Sequence, residues 1–127
     1  MEKKGTVLVV DDEEDFHVIL RRILEAGGYK IVSAMSAEEG LRMLEAFLPV
    51  AVLVDWNLPG ISGLDFVKHL RENKRTKKLP VIMLTVRDDE SDHLEAYAGN
   101  VDLYMTKPIV PEILLERIRG VITATVE

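Results

Sequence analysis

Cysteine is absent from all 127 residues. That excludes a disulfide scaffold, thiol catalysis and a cysteine-held zinc or iron–sulfur centre. Basic residues are in deficit: 16 Lys and Arg stand against 22 Asp and Glu, for a net charge of −6. A domain that grips a nucleic-acid backbone needs the opposite balance, with Lys and Arg clustered. No apolar run approaches the ~20 residues of a membrane span. Met1 to Gly5 is polar and leads directly into a strand pattern, so a secretory signal is not expected and the expected location is the cytoplasm. Neither G-x-G-x-x-G nor G-x-x-x-x-G-K-[ST] occurs, which leaves dinucleotide and P-loop nucleotide binding without support. Internal repeats, low-complexity tracts and linkers are missing too.

Hydrophobic residues make up 47% of the chain and charged residues 30%, an ordinary globular balance. The length suits one domain over residues 1–127, large enough to bury a core unaided. Val7 to Val10, Val50 to Val54 and Val81 to Leu84 are unbroken apolar runs rich in β-branched residues, the pattern of parallel strands covered on both faces. Lys30 to Ala34 and Val101 to Met105 mix apolar with polar residues and read as edge strands. Helical patterns fill the gaps. Phe16, Ile19, Leu20, Ile23 and Leu24 mark the first, which Gly27-Gly28 ends. Ser36 with Glu39 predicts a capping box for the second, followed by Leu41, Leu44 and Leu48. Leu64, Val67 and Leu70 mark the third. Asp88, Asp89 and Glu90 open a fourth with a thin apolar face of Leu94, Tyr97 and Ala98. Pro111 opens a fifth that buries Leu114, Ile118, Val121 and Ile122. Five βα units in series predict an α/β fold, doubly wound around a five-stranded parallel sheet.

Four polar positions each end an apolar run: the pair Asp11-Asp12, then Asp55, Thr85 and Lys107. In one parallel sheet they share the carboxyl edge of the strands, where ligands bind in open α/β folds. Asp12 and Asp55 can offer hard oxygen ligands to Mg²⁺, with Asp11 joining directly or through water; equally, Asp11 and Asp12 can simply cap the first helix. Asp55 can be a turn aspartate before Pro59-Gly60 or a nucleophile that forms an acyl phosphate. Thr85 alone reads as a β-branched strand residue and Lys107 as a surface lysine. Together, in this order, they are specific.

Leu8-Val9-Val10-Asp11-Asp12-Glu13, Val54-Asp55-Trp56-Asn57-Leu58-Pro59-Gly60, Met83-Leu84-Thr85 and Tyr104-Met105-Thr106-Lys107-Pro108 resemble the motifs of the response-regulator receiver domain over roughly residues 5 to 123. The stretch Val81 to Thr85 and that from Lys107 to Ile118 look most like receivers of winged-helix transcriptional regulators. The resemblance implies the flavodoxin-like strand order 2-1-3-4-5. It implies that Asp55 accepts a phosphoryl group from a phosphohistidine on a sensor kinase or a histidine phosphotransfer protein. Asp12, Asp55 and the carbonyl of Asn57 would hold Mg²⁺ (or Mn²⁺), with Asp11 contacting it mainly through water. Lys107 would pair with the acceptor carboxylate and then with the phosphoryl oxygens. Thr85 would swing to the phosphoryl group, with Tyr104 changing rotamer in step, and the Lys107–Pro108 bond would be cis. The output or homodimer face would be helix 4, strand 5 and helix 5, beside a fused or separate output domain.

Several residues depart from the family pattern: Val86 where a small residue is usual, bulky Trp56 beside the acceptor, Asn100-Val101 for Gly-Ala, and Ile109 for an aromatic. None removes a reactive group. Asn57 and Arg87 lie where the family tunes attack by water. His17, His69 and His93 are expected on helix faces or the surface. Met35, Met43, Met83 and Met105 are expected to fill the core. The basic run Lys74, Arg75, Lys77, Lys78 is expected to be a solvated turn at the opposite edge. Two other functions fit the fold. A phosphorylation-independent binding module would usually lack one of these groups. An aspartate-nucleophile phosphatase would need a second acid where Asn57 stands, and a cap domain as well.

Overall fold

The computed structural model describes residues 4–126. The elements alternate throughout: β1 (Thr6–Val10), α1 (Glu14–Ala26), β2 (Lys30–Ala34), α2 (Ala37–Leu44), β3 (Ala51–Val54), α3 (Gly63–Glu72), β4 (Val81–Thr85), α4 (Glu90–Ala98), β5 (Leu103–Thr106) and α5 (Pro111–Val126). The strands form one parallel sheet in the order β2-β1-β3-β4-β5. The two mixed runs are therefore the edges, and the three apolar runs are the covered centre.

Strand side chains alternate between faces, and this alternation builds two cores. Val7 and Val9 of β1, Leu53 of β3 and Ile82 and Leu84 of β4 pack with Leu20 and Leu24 of α1 and Leu114 and Ile118 of α5. Leu8, Val10, Val52, Val54, Val81 and Met83 point the other way, onto Ala37 and Leu44 of α2, Phe66, Val67 and Leu70 of α3 and Ala96 of α4. A central strand with apolar residues at every position thus has two layers to fill.

Several expectations need correction. On α1 the inward residues are His17, Leu20, Ile23 and Leu24, while Ile19 is half exposed; the inner stripe runs through position 17. The second helix stops at Leu44, and Leu48 lies beyond it, exposed. Its capping box is half-formed: the Ser36 hydroxyl accepts from the Glu39 N–H at 3.1 Å, but the Glu39 carboxylate accepts from Met35 N–H. The expected apolar face of α4 points outward. Leu94 is 65% and Tyr97 44% exposed, and Ala96 is the buried residue of that helix. Met35 is exposed. Arg75 is not merely solvated, because its guanidinium donates to the carbonyl of Leu44.

Strand ends are in register at one edge. Val10 pairs with both Ala34 and Val54, Val54 with Met83, and Thr85 with Thr106. The backbone ladder continues one residue past three of the strands. Asp11 N–H donates to Ala34 O (3.1 Å), Asp55 N–H to Val10 O (3.0 Å) and Lys107 N–H to Thr85 O (2.9 Å). Asp11, Asp55 and Lys107 therefore sit on sheet-like backbone rather than on free loops. After Asp55 the chain turns back tightly, and Gly63 N–H donates to Trp56 O at 2.8 Å. A Cβ on Gly63 would collide with the Asp55 carbonyl oxygen, whereas one on Gly120 of α5 would meet nothing. Gly63→Ala should therefore cost about 3 kcal/mol or more, beyond the usual range for overpacking because the obstacle is backbone. Gly120→Ala should add about 0.5–1 kcal/mol through helix propensity. Urea unfolding of the two variants checks both signs.

Candidate functional site

Asp11, Asp55, Thr85 and Lys107 meet at the carboxyl edge of the sheet. The Lys107 ammonium lies 3.0 Å from Asp11 Oδ2 and 3.0 Å from Asp55 Oδ2, donating to both. A third carboxylate, Glu13, stands 3.4 Å from the same nitrogen, and the Phe16 ring lies under it at 4.0 Å. Asp11 and Asp55 are buried, so the ion pairs are shielded from water. The Lys107–Pro108 peptide is cis, as the resemblance implied.

Local geometry fixes both acids. Asp11 Oδ1 accepts from Glu13 N–H at 2.8 Å, and Asp55 Oδ1 accepts from Asn57 N–H at 3.1 Å, each an Asx-type turn over two residues. The capping alternative for Asp11 and Asp12 fails: the residue before α1 is Glu13, with no side-chain cap bond. Thr85 is fully buried, and its hydroxyl is 3.4 Å from Arg87 N. Tyr104 is also buried; its hydroxyl donates to Arg87 O at 2.8 Å. Burial is the chief cause that pushes its pKa up to about 12, so it serves as a neutral donor.

Two further titrations are displaced. Burial raises Asp11 above its ordinary value, and this outweighs the Glu13 N–H bond and the neighbouring ammonium. For Lys107, burial pulls down, but the hydrogen bonds and charges of Asp11 and Asp55 win and raise it.

Asp11, Glu13 and Asp55 can each present an oxygen within 4.8 Å of the others. Such a set of hard, anionic donors fits a small divalent cation. Asp12, expected as a direct ligand, is exposed and lies outside that trio. Asn57 is exposed as well, with its side-chain oxygen engaged by Arg87 Nε at 2.9 Å.

The sequence profile of the response regulator receiver domain matches residues 7–119. The chain belongs to that family. The phosphate regulon transcriptional regulatory protein PhoB of Escherichia coli K12 is 37% identical over 115 residues, covering 91% of this chain and 50% of PhoB. Chemotaxis protein CheY1 of Helicobacter pylori is 34% identical over 91% of this chain and 95% of its own length. The crystal structure of a candidate response regulator from Chloroflexus aurantiacus J-10-fl superposes with a TM-score of 0.91 at 34% identity, covering 95% and 99% of the two chains. The receiver thus spans about half the length of the PhoB-type relatives it matches. The likeness to winged-helix regulators agrees with PhoB, and among the described residues no helix is long and apolar enough to cross a membrane.

Sequence reasoning missed residues around this receiver's site. His17, read as a surface or helix-face residue, is 5% exposed, and its Nε2 bonds the Asp11 carbonyl oxygen at 2.7 Å. The signal was the spacing 17, 20, 24, which is one helix face. His93, read likewise as a surface or helix-face residue, lies on α4 and is half-buried, with its ring 4.0 Å from that of Tyr104. The roles of Glu13 and Phe16 depend on the turn after Asp11, which strand patterns do not specify.

The Asp11 shift gives a pH test. A carboxyl whose folded pKa is raised holds its proton longer when folded, so its contribution is complete below 3.8 and is lost as pH rises through the raised value. Asp11→Asn lacks that titration. The stability of the wild type relative to Asp11→Asn should fall between pH 3.8 and neutrality in urea titrations. Parallel curves would contradict the shift.

Proposed function

We propose that this receiver is a phosphorylation-activated switch in which Asp55 is the acceptor. The observation that carries the reading is the single ammonium of Lys107 shared between Asp11 and Asp55 at 3.0 Å each, beside a buried threonine hydroxyl on the adjoining strand end. An Asp55 oxygen forms a P–O bond as the P–N bond of a phosphohistidine breaks, and the electron pair leaves with the imidazole nitrogen. The donor is a sensor histidine kinase or a histidine phosphotransfer protein. Asp11, Asp55, the Asn57 carbonyl and Asp12, after its loop adjusts, would hold Mg²⁺ or Mn²⁺, with Glu13 close by. The cation would offset the crowded negative charge and that on the transferred oxygens. Asn57 N–H keeps one Asp55 oxygen oriented, which leaves the oxygen now facing Lys107 to react.

The product carries about 1.5 to 2 more negative charges and three strong acceptor oxygens. Lys107 and the Thr85 hydroxyl are the donors at hand to answer it. Thr85 adjoins Arg87, whose carbonyl accepts from Tyr104, so movement of the hydroxyl is passed to the β4–α4 loop and to β5. Helix α4 buries only Ala96 of its nine residues, so little apolar packing holds it. Exposed Leu94 and Tyr97 on α4 and Val110 and Ile113 near α5 make α4, β5 and α5 the face for an output domain, fused or separate, or for a homodimer. The setting for such a relay is the cytoplasm, and binding of nucleic acid by this domain itself is not part of the reading.

Incubation with acetyl phosphate and Mg²⁺, followed by intact mass, tests the acceptor. One phosphoryl adduct is expected, absent in Asp55→Asn and without the cation. Lys107→Met should slow its formation by about tenfold or more, as loss of a charged donor at a developing anion does. No adduct on the wild type would overturn the reading, and continuous turnover of phosphomonoesters would replace it with a phosphatase.

A further inference from the structure

The Arg87 side chain bridges the acceptor loop and α4. Its Nε donates to Asn57 Oδ1 at 2.9 Å, its guanidinium lies 4.3 Å from the centre of the Trp56 ring, and its Nη1 is 3.6 Å from Asp92 Oδ1 on the first turn of α4. Asn57 in turn donates its N–H to Asp55. A continuous line of contacts therefore runs from the acceptor carboxylate through Asn57 and the Arg87 side chain to Asp92, whereas the Thr85–Tyr104 route uses the Arg87 backbone. Asp88, in the loop before α4, is occupied elsewhere: it accepts from the Thr106 hydroxyl at 3.1 Å and faces His93 Nε2 at 3.5 Å. Asp92 is the carboxylate that pairs with this guanidinium from α4.

We propose that Arg87 is a charge latch, for which Asp92 of α4 and an anionic group on Asp55 compete. This rests on the aspartyl-phosphate reading above. In the resting protein the guanidinium lies over the Trp56 ring and is held by Asn57 and by Asp92. A doubly charged phosphoryl group one residue away outbids a single, partly solvated carboxylate, because charge-assisted bonds from Arg to phosphate are the stronger class. When the guanidinium turns toward the phosphoryl oxygens, Asp92 loses its partner, and the first turn of α4 loses one of the few contacts that fix it. Arg87 is then a positioning residue that couples the site to α4. Asp92 acts on the site only through it.

Beryllium fluoride with Mg²⁺, a mimic of a phosphoryl group on a carboxylate, is the probe, with binding followed by Trp56 fluorescence. Asp92→Asn removes the competitor and should tighten binding about two- to five-fold, the scale of a partly exposed ion pair. Asp92→Ala should do the same. In an Arg87→Gln background neither change should tighten it. Equal tightening in that background would mean that Asp92 acts only through its general negative field, and would overturn the latch. So would unchanged affinity in both Asp92 variants. A wild type that binds no beryllium fluoride overturns the acceptor reading and the latch together; one that binds, yet ignores Asp92, overturns the latch alone.

Discussion

Two buried carboxylates at neighbouring strand ends share one ammonium, and the rest of the site is arranged around that imbalance. With their oxygens within 4.8 Å, Asp11 and Asp55 repel each other by about 3–4 kcal/mol at an effective dielectric of 20. Lys107 offsets this, and the elevated titration of Lys107 records the field it sits in. Yet one cation cannot neutralise Asp11, Asp55 and Glu13 together. The remaining negative charge is what makes the site receptive to a divalent cation. Burial, with a smaller part from the Asp55 charge, keeps Asp11 reluctant to ionise. The arrangement costs stability, as preorganised sites generally do.

The parallel sheet is what allows such a cluster to exist. Its two central apolar layers hold β1, β3 and β4 rigidly, and the ladder bonds of Asp11, Asp55 and Lys107 extend that rigidity to these three residues. Helix α4 is the opposite case. It buries Ala96, exposes Leu94 and Tyr97, and is tied down by side-chain contacts of Arg87, His93 and Tyr97. A fixed site beside a lightly held helix suits a switch, because small changes in charge can decide between arrangements of the helix without disturbing the core.

Much of this was legible in the residues. Apolar runs without alternation located the central strands to within a residue, and their ends located the carboxylates and the threonine, while the lysine followed the mixed run of an edge strand. Strand order came from the motif resemblance rather than from periodicity. Helix faces were less legible where one residue type misled. His17 counts as polar but lies in the inner stripe, so the first helix was rotated in the reading, with Ile19 inward. On α4, apolar Leu94 and Tyr97 suggested a buried face where the structure has an outward one, because Ala96, small and easily overlooked, makes the core contact. The contacts of Glu13, Arg87 and His93 depend on loop geometry after β1 and β4, and no periodic pattern encodes it. The turn after β1 also sets Glu13, rather than Asp12, beside Asp11 and Asp55.

The most direct test is a crystal structure of the protein with Mg²⁺ and beryllium fluoride. The account predicts beryllium bonded to an Asp55 carboxylate oxygen, with Lys107 Nζ and Thr85 Oγ1 within hydrogen-bond distance of the fluorides. Beryllium fluoride on another residue, or Lys107 still shared between Asp11 and Asp55 with Thr85 turned away, would contradict it.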